Sequence, residues 1–506
     1  MLNPSQIILR LFFIFKRKAL LFVLVFQISL SLKAAYFEYT PALNECQKHL
    51  VSLRLKQADA IISSEILKHP DNIAGYYLLH YAKFYHLMVQ QNKVLLPEFE
   101  KVHASTLNQI QLLPDNSPYK LFLKASVHLQ SAFVKGAFNE YLSAAWDFRS
   151  AFLEVNQNER SFPNFLGHKK ELGALKALIG TFPSQYNWIL NVVGLEGDFD
   201  KGLKVLHSYI ELDSKEPLIE QQQAEVMYTL IQLNFGPDKK LAWTFYKEHS
   251  KDYRQNLMQC YVRAYVAGKC GENDMALQTL KARPTDEAYE QIYYLNLLMG
   301  TYLLNELDYS AAIWFKKYLA FSITKGSFKE AYQKLSWIAW LQGDTLKFHT
   351  YTNLMIKHSK EMGSETSLMN QDLSKGIFPS AEMLKARLLF DGGHYAKAQL
   401  ILMKIKPELL PSKFQKIEWD YRCARIYQEE GKLAEAISHY KSCLEKGKEI
   451  NTYLLPNACL QLGAIYEKMN YISLARTYYE QVDNYSHYDY DTSIQQKAKT
   501  NLLRLH

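Results

Sequence analysis

Apolar and small residues recur along this chain at the spacing of one face of a helix. After Ala436 come Ile437 and Tyr440, and Ala475 is followed in the same way by Tyr479. Side chains spaced three or four positions apart bury one side of an amphipathic helix and leave the other side to water. The pattern therefore predicts α-helices over most of the sequence.

Pairs of small residues twelve positions apart form the strongest repeat in the chain. The first member lies inside one helical pattern and the second lies just after a turn, and successive first members are 34 to 50 residues apart. The pairs of two small residues are Ala264 and Ala276, Gly300 and Ala312, Ala386 and Ala398, Ala424 and Ala436, and Gly463 and Ala475. The weaker pairs are Leu190 and Gly202, Leu230 and Ala242, and Ser336 and Phe348.

This spacing has a mechanical reason. Two antiparallel helices approach to roughly 8–10 Å between their axes only where the residues at the crossing are small. Turn residues lie between the paired positions: Gly271, Gly343 and Gly431 suit the left-handed conformation that ends a helix, and Asp344 suits the cap of the next helix. The sequence therefore predicts an all-α protein, an α-solenoid of antiparallel helix pairs.

The stretch EWDYRCARIYQEEGKLAEAISHYKSCLE, residues 418–445, resembles the tetratricopeptide repeat (TPR) superfamily. The segment ADAIISSEILKHPDN, residues 58–72, looks like the second helix and exit loop of another such unit. A period near 34 residues with loop insertions is typical of this superfamily. The resemblance implies a right-handed superhelix with a concave binding face.

Residues 117–210 carry a second resemblance, to the tetratricopeptide repeat 39-like family, which includes a mitochondrial outer-membrane protein of inclusion-body clearance. In that family a helix holding glycines leads into a proline, a further helix and a Gly-x-x-Gly-Asp turn. The residues that occupy those places here are Gly173, Gly180, Pro183, Gly194, Gly197 and Asp198. The N-terminus of this chain departs from the mitochondrial members of the family.

The first 35 residues read as a secretory signal peptide. The basic triplet 16–18 is followed by the apolar run ALLFVLVFQISLSL, residues 19–32, and by Ala34 and Ala35. The run is shorter than the roughly 20 residues that span a bilayer, so an uncleaved anchor is the alternative. We expect a mature chain that starts near Tyr36 and is periplasmic or envelope-associated, and a Gram-negative origin is favoured.

The rest of the chain divides into three predicted regions. These are an N-terminal helical TPR-like region at 36–160, a divergent TPR-like region at 161–285, and a TPR array with a C-terminal capping helix at 286–506. Low usage of Gly (21) and Pro (15) suits long helices joined by short turns.

The net charge of +8 suggests nucleic acid until the positions of the basic residues are considered. Five of the 59 Lys and Arg residues lie in the first 35 residues, which contain no Asp or Glu. The remaining 54 basic residues are dispersed and face 51 acidic ones, which is too even a balance for a nucleic-acid binder. We therefore expect no nucleic acid among the partners.

Catalytic and cofactor motifs are missing from the sequence. It contains no HExxH, no His and Cys cluster with zinc spacing, no phosphate-binding glycine loop and no GxSxG elbow. Six dispersed cysteines without CxxC pairs leave a single disulfide open. We expect a protein that is not an enzyme and that has no cofactor or metal.

The resemblance to TPR proteins places candidate partner-binding residues on the first helix of each unit, at its second, fifth, ninth and twelfth positions. Aromatic residues and arginine, the types enriched at binding hot spots, fill many of these places. The candidates are Tyr261, Tyr265, Trp337, Trp340, Arg387, Phe390, Tyr421 and Arg425. For each of them, a place in the core between repeats is the alternative.

These observations favour a non-catalytic scaffold of the cell envelope that binds a peptide or protein partner in the concave groove. The partner is of unknown identity, and association with a membrane or envelope complex is part of the same expectation. A periplasmic or outer-membrane glycan-binding protein built on helical repeats is the alternative. An enzyme with a site of scattered residues is a third and more distant option.

Overall fold

The computed structural model describes residues 34–181, 197–212, 217–322, 327–361, 376–485 and 491–505. Within these ranges the chain forms 23 α-helices and three short 3₁₀ helices, with no β-strand beyond an isolated bridge between Tyr36 and Asn72. The expected signal segment up to residue 33, and Pro183, Leu190 and Gly194, lie outside the described residues.

The helices of the N-terminal half follow the turn signals of the sequence. The first six are α1 (Pro41–Val51), α2 (Leu55–Lys68), α3 (Ile73–Gln90), α4 (Leu96–Gln111), α5 (Pro118–Ala137) and α6 (Tyr141–Ser161). The next six are α7 (Lys169–Ile179), α8 (Phe199–Ile210), α9 (Leu218–Phe235), α10 (Lys239–His249), α11 (Leu257–Lys269) and α12 (Asn273–Lys281).

The C-terminal half continues the same arrangement. Its first six helices are α13 (Tyr294–Asn305), α14 (Ala311–Phe321), α15 (Phe328–Leu341), α16 (Thr345–Glu361), α17 (Ala381–Asp391) and α18 (Tyr395–Leu402). The last five are α19 (Lys413–Glu429), α20 (Leu433–Gly447), α21 (Leu454–Lys468), α22 (Ile472–Gln481) and α23 (Asp491–Arg504).

Consecutive helices pack as eleven pairs, α1 with α2 through α21 with α22, and α23 closes the described array. Each pair also packs on the next, which is how a solenoid builds one continuous core from units that cannot bury their faces alone. The prediction of an all-α solenoid of helix pairs is confirmed. The region boundaries at 160 and 285 stay predictions, and one core cluster reaches from Leu43 to Leu388 across both.

Small residues lie at the crossings of the helix pairs. Those that are almost fully buried are Ala264, Ala276, Ala386, Ala398, Ala424, Ala436 and Ala475. At Gly300 and Gly463 an aromatic ring takes the space of a side chain: a Cβ there would lie 2.8 Å from Phe315 and 2.4 Å from Tyr479. A larger residue at these crossings would push the two helices apart.

The predicted register differs from the structure in three places. Ala311, and not Ala312, is fully buried at the start of α14, where the helix begins at Ala311 after a turn through the left-handed residue Leu307. In α9 the buried residue is Thr229, while Leu230 is half-buried. The third difference is at Gly202.

Gly202 packs against α7. A Cβ on Gly202 would lie 2.2 Å from the backbone nitrogen of Ala177, and a Cβ on Gly173 would lie 2.5 Å from that of Leu206. The small residues that permit this crossing are therefore Gly173 and Ala177, in the preceding helix, and the predicted partner Leu190 is outside the described residues.

The turns between paired helices use the residues that the sequence indicates. Gly271, Gly343 and Gly431 have φ of 80°, 77° and 77°, in the left-handed region where a Cβ is unfavourable. Asp344 caps α16 by accepting a hydrogen bond from the backbone N–H of Lys347 at 3.0 Å. These local signals set where each helix ends and the next begins.

Contacts between distant pairs show where the solenoid turns upon itself. The backbone N–H of Ile219 in α9 donates to the side-chain oxygen of Gln47 in α1 at 3.2 Å. The α11–α12 turn touches the α17–α18 turn at Gly271 and Gly393, and Lys240 of α10 lies 3.6 Å from Glu429 of α19. Side chains of these separate pairs therefore face a shared inner face.

A fully buried ionic network holds the N-terminal half together. The ammonium of Lys170 in α7 lies 2.5 Å from Glu220 of α9 and 2.8 Å from Glu171. The hydroxyl of Tyr77 in α3 donates to Glu220 at 2.8 Å, and Lys170 donates to Tyr81 at 3.3 Å. Three helices from three pairs are joined by this one cluster.

No described helix combines the length and the apolarity that crossing a bilayer requires. All six cysteines are described, buried and unpaired. Burial raises the pKa of their thiols, to about 12 for Cys46, Cys260, Cys423 and Cys459.

Candidate binding surface on the inner face

Four of the eight candidate residues meet at one cavity. Arg387 and Phe390 on α17, with Tyr421 and Arg425 on α19, line a cavity of ≈ 140 Å³. The guanidinium carbon of Arg425 lies 4.9 Å from the centre of the Phe390 ring, and its Nη1 donates to the hydroxyl of Tyr421 at 3.3 Å. The Nε of Arg425 is buried without a hydrogen-bond partner among the described residues. The cavity therefore offers an arginine donor framed by two rings.

Trp337 lies beside this cavity but is itself buried. Its ring is 4.7 Å from the guanidinium carbon of Arg387 and 4.8 Å from the ammonium of Lys334. Cations over an aromatic face are attracted by the electrons of the ring. Trp337 is 4% exposed and Tyr421 is 6% exposed, so each offers a partner little surface of its own. Trp337 contacts the neighbouring cations through its ring, and Tyr421 contacts Arg425 through its hydroxyl.

Tyr261 and Tyr265 on α11 are half-buried, with ring centres 6.2 Å apart. Burial raises the pKa of Tyr261 to about 12, so this hydroxyl stays protonated at neutral pH. The ammonium of Lys269 lies 5.5 Å from the centre of the Tyr265 ring. These tyrosines extend the row of cations over rings toward the N-terminal half.

Trp340 does not join this group. Its ring stacks on Phe378 with centres 4.9 Å apart, and its N–H donates to the carbonyl of Pro379 at 3.0 Å. It also packs against Phe348 at 5.3 Å. Because these contacts hold α15 and α16 to the segment before α17, Trp340 is a packing residue, and its prediction as a groove residue is corrected.

Lys239, Lys269 and Lys497 complete the surface, and no pattern in the sequence marks them as part of it. Lys239 begins α10 and donates to the carbonyl of Lys269, the last residue of α11, at 2.7 Å. Lys497 on α23 is exposed, yet burial among the surrounding helices lowers the pKa of its ammonium, and the nearby cations Lys239, Lys269 and Arg425 lower it further. These groups are far apart in the chain, so their approach depends on the tertiary fold alone.

Neighbouring positive charge also acts on Lys239 and on one further lysine, Lys334. Burial lowers the pKa of Lys239, and the positive charge of Arg425 lowers it further, although Glu429 and Asp391 oppose the shift. Burial also lowers the pKa of Lys334, where Arg387 and Lys269 add to the shift and Glu330 and Asp391 oppose it. Cations and carboxylates are therefore interleaved around these two lysines.

Three potential metal ligands lie nearby. Single oxygen or nitrogen atoms of Asp274, Glu306 and His394 are all within 4.8 Å of one another. Asn273 donates to the Glu306 carboxylate at 3.1 Å, and burial, with Asp274, raises the pKa of Glu306. The two carboxylates are exposed, and acidic groups of this kind often cluster without an ion.

The sequence matches no protein-family model. It also matches no curated protein. Solved structures resemble it over most of their length.

Yeast Tom70 is 13% identical, over 87% of this chain and 88% of that chain, with a TM-score of 0.31. A structure of an IFIT1 monomeric mutant with Gppp-AAAA is 14% identical, over 90% of this chain and 99% of that chain, with a TM-score of 0.30. A chain of the APC/C hetero-tetramer Cut9-Hcn1 is 11% identical, over 90% of this chain and 95% of that chain, with a TM-score of 0.25.

These identities and TM-scores are too low to carry a function from any of the three proteins to this chain. The closer resemblance to the tetratricopeptide repeat 39-like family, and the handedness of the superhelix, stay predictions. The eleven stacked helix pairs, with small residues at their crossings and glycine in their turns, show a TPR-like α-solenoid.

Proposed function

We propose that the protein is a non-catalytic interaction scaffold of the cell envelope, and that a peptide or protein partner binds its inner face. The observation that carries the proposal is the cavity at which Arg387, Phe390, Tyr421 and Arg425 converge. Arginine and aromatic side chains in a partly enclosed pocket are typical of the hot spots of protein interfaces.

Export of the protein is a further part of the proposal. It is supported by the order of a basic triplet, an apolar run and small residues within the first 35 positions. Mass spectrometry of the N-terminus of native protein tests it, and we expect a chain that starts near Tyr36. An intact Met1 on a cytosolic species would contradict export.

Co-purification from intact envelope, after cross-linking, tests the scaffold. We expect a stoichiometric protein partner, whereas a pure monomer that binds sugars would favour glycan binding instead. The variant Arg425→Ala should weaken retention of the partner by about 2 kcal/mol, the magnitude of a hot spot, with little change in melting temperature.

Trp340→Ala is the matched control. Because Trp340 packs within the solenoid, its removal should cost about 3–5 kcal/mol of folding stability without a selective loss of partner. If Arg425→Ala loses stability and keeps the partner, the cavity is not the binding site.

A further inference from the structure

Six basic side chains from six different helices share the inner face of the solenoid. We call this set the inner basic surface: Lys239 (α10), Lys269 (α11), Lys334 (α15), Arg387 (α17), Arg425 (α19) and Lys497 (α23). Each of the six helices contributes one side chain, so an occupant of this surface meets several cations at once.

The cations of this surface are incompletely neutralised by the protein itself. Among the described residues, three carboxylates act on Lys239 and Lys334, and two of them are already engaged: Glu429 lies 3.6 Å from Lys240, and Asp391 lies 3.9 Å from the Nε of Arg387. The third, Glu330, acts on Lys334. Within the described part of the chain, no carboxylate forms an ion pair with Lys269 or Lys497.

The C-terminal helix brings its own positive charge to this surface. Helix α23 packs on α21 and α22, reaches α9, and places the amide of Gln496 3.4 Å from the hydroxyl of Thr181. Its Lys497 faces Lys239, Lys269 and Arg425, and these like charges repel one another. An anion lying between α23 and the inner wall would relieve that repulsion.

Aromatic rings lie beneath the cations. Lys269 lies over Tyr265, Lys334 and Arg387 over Trp337, and Arg425 over Phe390. Beside them is the cavity of ≈ 140 Å³, whose wall also includes Leu402. Arg387, Arg422 and Arg425 line this cavity together with Phe390, Leu402 and Ile426, so it offers both cations and apolar side chains to an occupant.

We propose that the inner basic surface binds an extended acidic segment of a protein partner, in which carboxylate side chains alternate with apolar ones, and that α23 completes the site through Lys497. The inference rests on the proposed function, because it names the chemistry of the partner that the scaffold binds. Carboxylates pair with the lysine and arginine heads, and the apolar side chains between them pack on the rings and on the apolar part of the cavity wall.

A nucleic acid fits the same surface poorly. Its phosphates are closely spaced and all negative, whereas Asp391 and Glu429 lie among the cations and would repel them. Beyond residue 35 the chain carries 54 basic and 51 acidic residues, so no wider positive field supports such binding. A polypeptide, in contrast, can carry carboxylates opposite the cations and neutral side chains opposite Asp391 and Glu429.

The test uses the full-length protein and two labelled peptides, one with Glu alternating with Leu and one with Gln in place of each Glu. Fluorescence anisotropy should show tighter binding of the Glu peptide, with affinity that falls as salt increases. The variants Lys497→Glu and Lys269→Glu should each weaken this binding by roughly tenfold, because both side chains are exposed and their reversal leaves the core intact.

Lys404→Glu is the matched control, an exposed lysine at the end of α18 that lies outside the inner basic surface. It should leave the affinity within about twofold, and circular dichroism should show the same helix content for all variants. Equal binding of the two peptides, or equal weakening by Lys404→Glu, would overturn the proposal.

Tripolyphosphate and a single-stranded oligonucleotide serve as competitors. Displacement of the Glu peptide by either at lower concentration than by unlabelled Glu peptide would show that the site recognises phosphate, against the proposal. If the native partner still co-purifies while the Glu peptide fails to bind, only the acidic segment is refuted. Absence of any protein partner would refute the proposed function itself.

Discussion

Two regions of the solenoid are stabilised by different contacts, although both consist of stacked helix pairs. Between α3 and α9, the pairs are joined by a buried ionic network around Lys170, with no exposed side chain among Lys170, Glu171 and Glu220. Between α19 and α22, the pairs are joined by alanines and glycines at the crossings, and by rings such as Tyr440 and Tyr479. The same fold is thus reached by polar bonding in one region and by close packing in the other.

The difference shows what each region requires of its residues. Burial alone would lower the pKa of Lys170, but Glu171 and Glu220 outweigh it and hold the pKa well above its ordinary value. Burial raises the pKa of Glu171 to about 7, and repulsion by the Glu220 carboxylate adds to the rise, against the pull of Lys170. The stability of a buried ionic cluster of this kind depends on the presence of every member, because removal of one leaves an uncompensated buried charge.

The largest expected effect follows from removal of the ammonium. Lys170→Met keeps most of the side-chain volume but leaves two carboxylates buried, so we expect a loss of about 3–5 kcal/mol in unfolding free energy by urea denaturation. The loss should shrink as pH falls from 8 to 5, because the carboxyl group of Glu171, whose pKa burial raises to about 7, can then take up a proton. The double variant Lys170→Met/Glu220→Gln should recover part of it.

Lys446→Met in the close-packed region is the control for that variant. Asp420 there keeps a 3.1 Å contact with His439 and a hydrogen bond from Ser442 at 3.1 Å, and Lys446 is half exposed. Its loss should therefore cost only about 1 kcal/mol. Equal losses for the two lysines would remove the contrast between the regions.

A smaller effect is expected at Glu225, also in the N-terminal half. Burial raises the pKa of its carboxyl group to about 7, above the unfolded value, so its favourable contribution is full below about pH 4.5 and is lost as pH rises toward 7. Glu225→Gln should stabilise the protein at pH 8 by roughly 1–3 kcal/mol and have little effect at pH 4.5. The exposed Glu435→Gln should leave the pH dependence of urea unfolding unchanged, and a flat profile for wild type would contradict the assignment.

The packing of the C-terminal region gives the third prediction. Ala436→Leu and Ala475→Leu should each cost about 1–3 kcal/mol by overpacking, measured as a lower melting temperature. Ala311→Leu and Ala312→Leu form a matched pair that tests the register of α14. The first should destabilise by a similar amount and the second by about 0.5 kcal/mol or less, because Ala312 is half exposed. The reverse order would restore the register predicted from the sequence.

Part of the candidate site was within reach of sequence reasoning. The repeat register, transferred from the TPR resemblance, selected Arg387, Phe390, Tyr421 and Arg425, which the structure brings together at one cavity. The same transfer selected Trp340, which instead packs on Phe378, because an insertion before α17 supplies a ring that the repeat pattern does not contain. Sequence position identifies a helix face but not the neighbour that covers it.

The local structure of the chain was determined by the sequence alone. The spacing of apolar and small residues determined the helices and their pairing, since that spacing reports which side of a helix is buried. Glycines such as Gly271 and Gly431 determined where helices end, since their backbones adopt positive φ at little cost. These signals act over a few residues, so they can be read without knowledge of the fold.

Only the tertiary structure decided which distant charges meet. Lys170 beside Glu171 looks like a surface pair in the sequence, yet the arrival of α3 and α9 buries both. Likewise, nothing in the sequence links Lys497 to Lys239 and Lys269, which it approaches because the solenoid turns upon itself. Electrostatic interactions depend on distance and burial, and both are set by the path of the whole chain rather than by any local pattern.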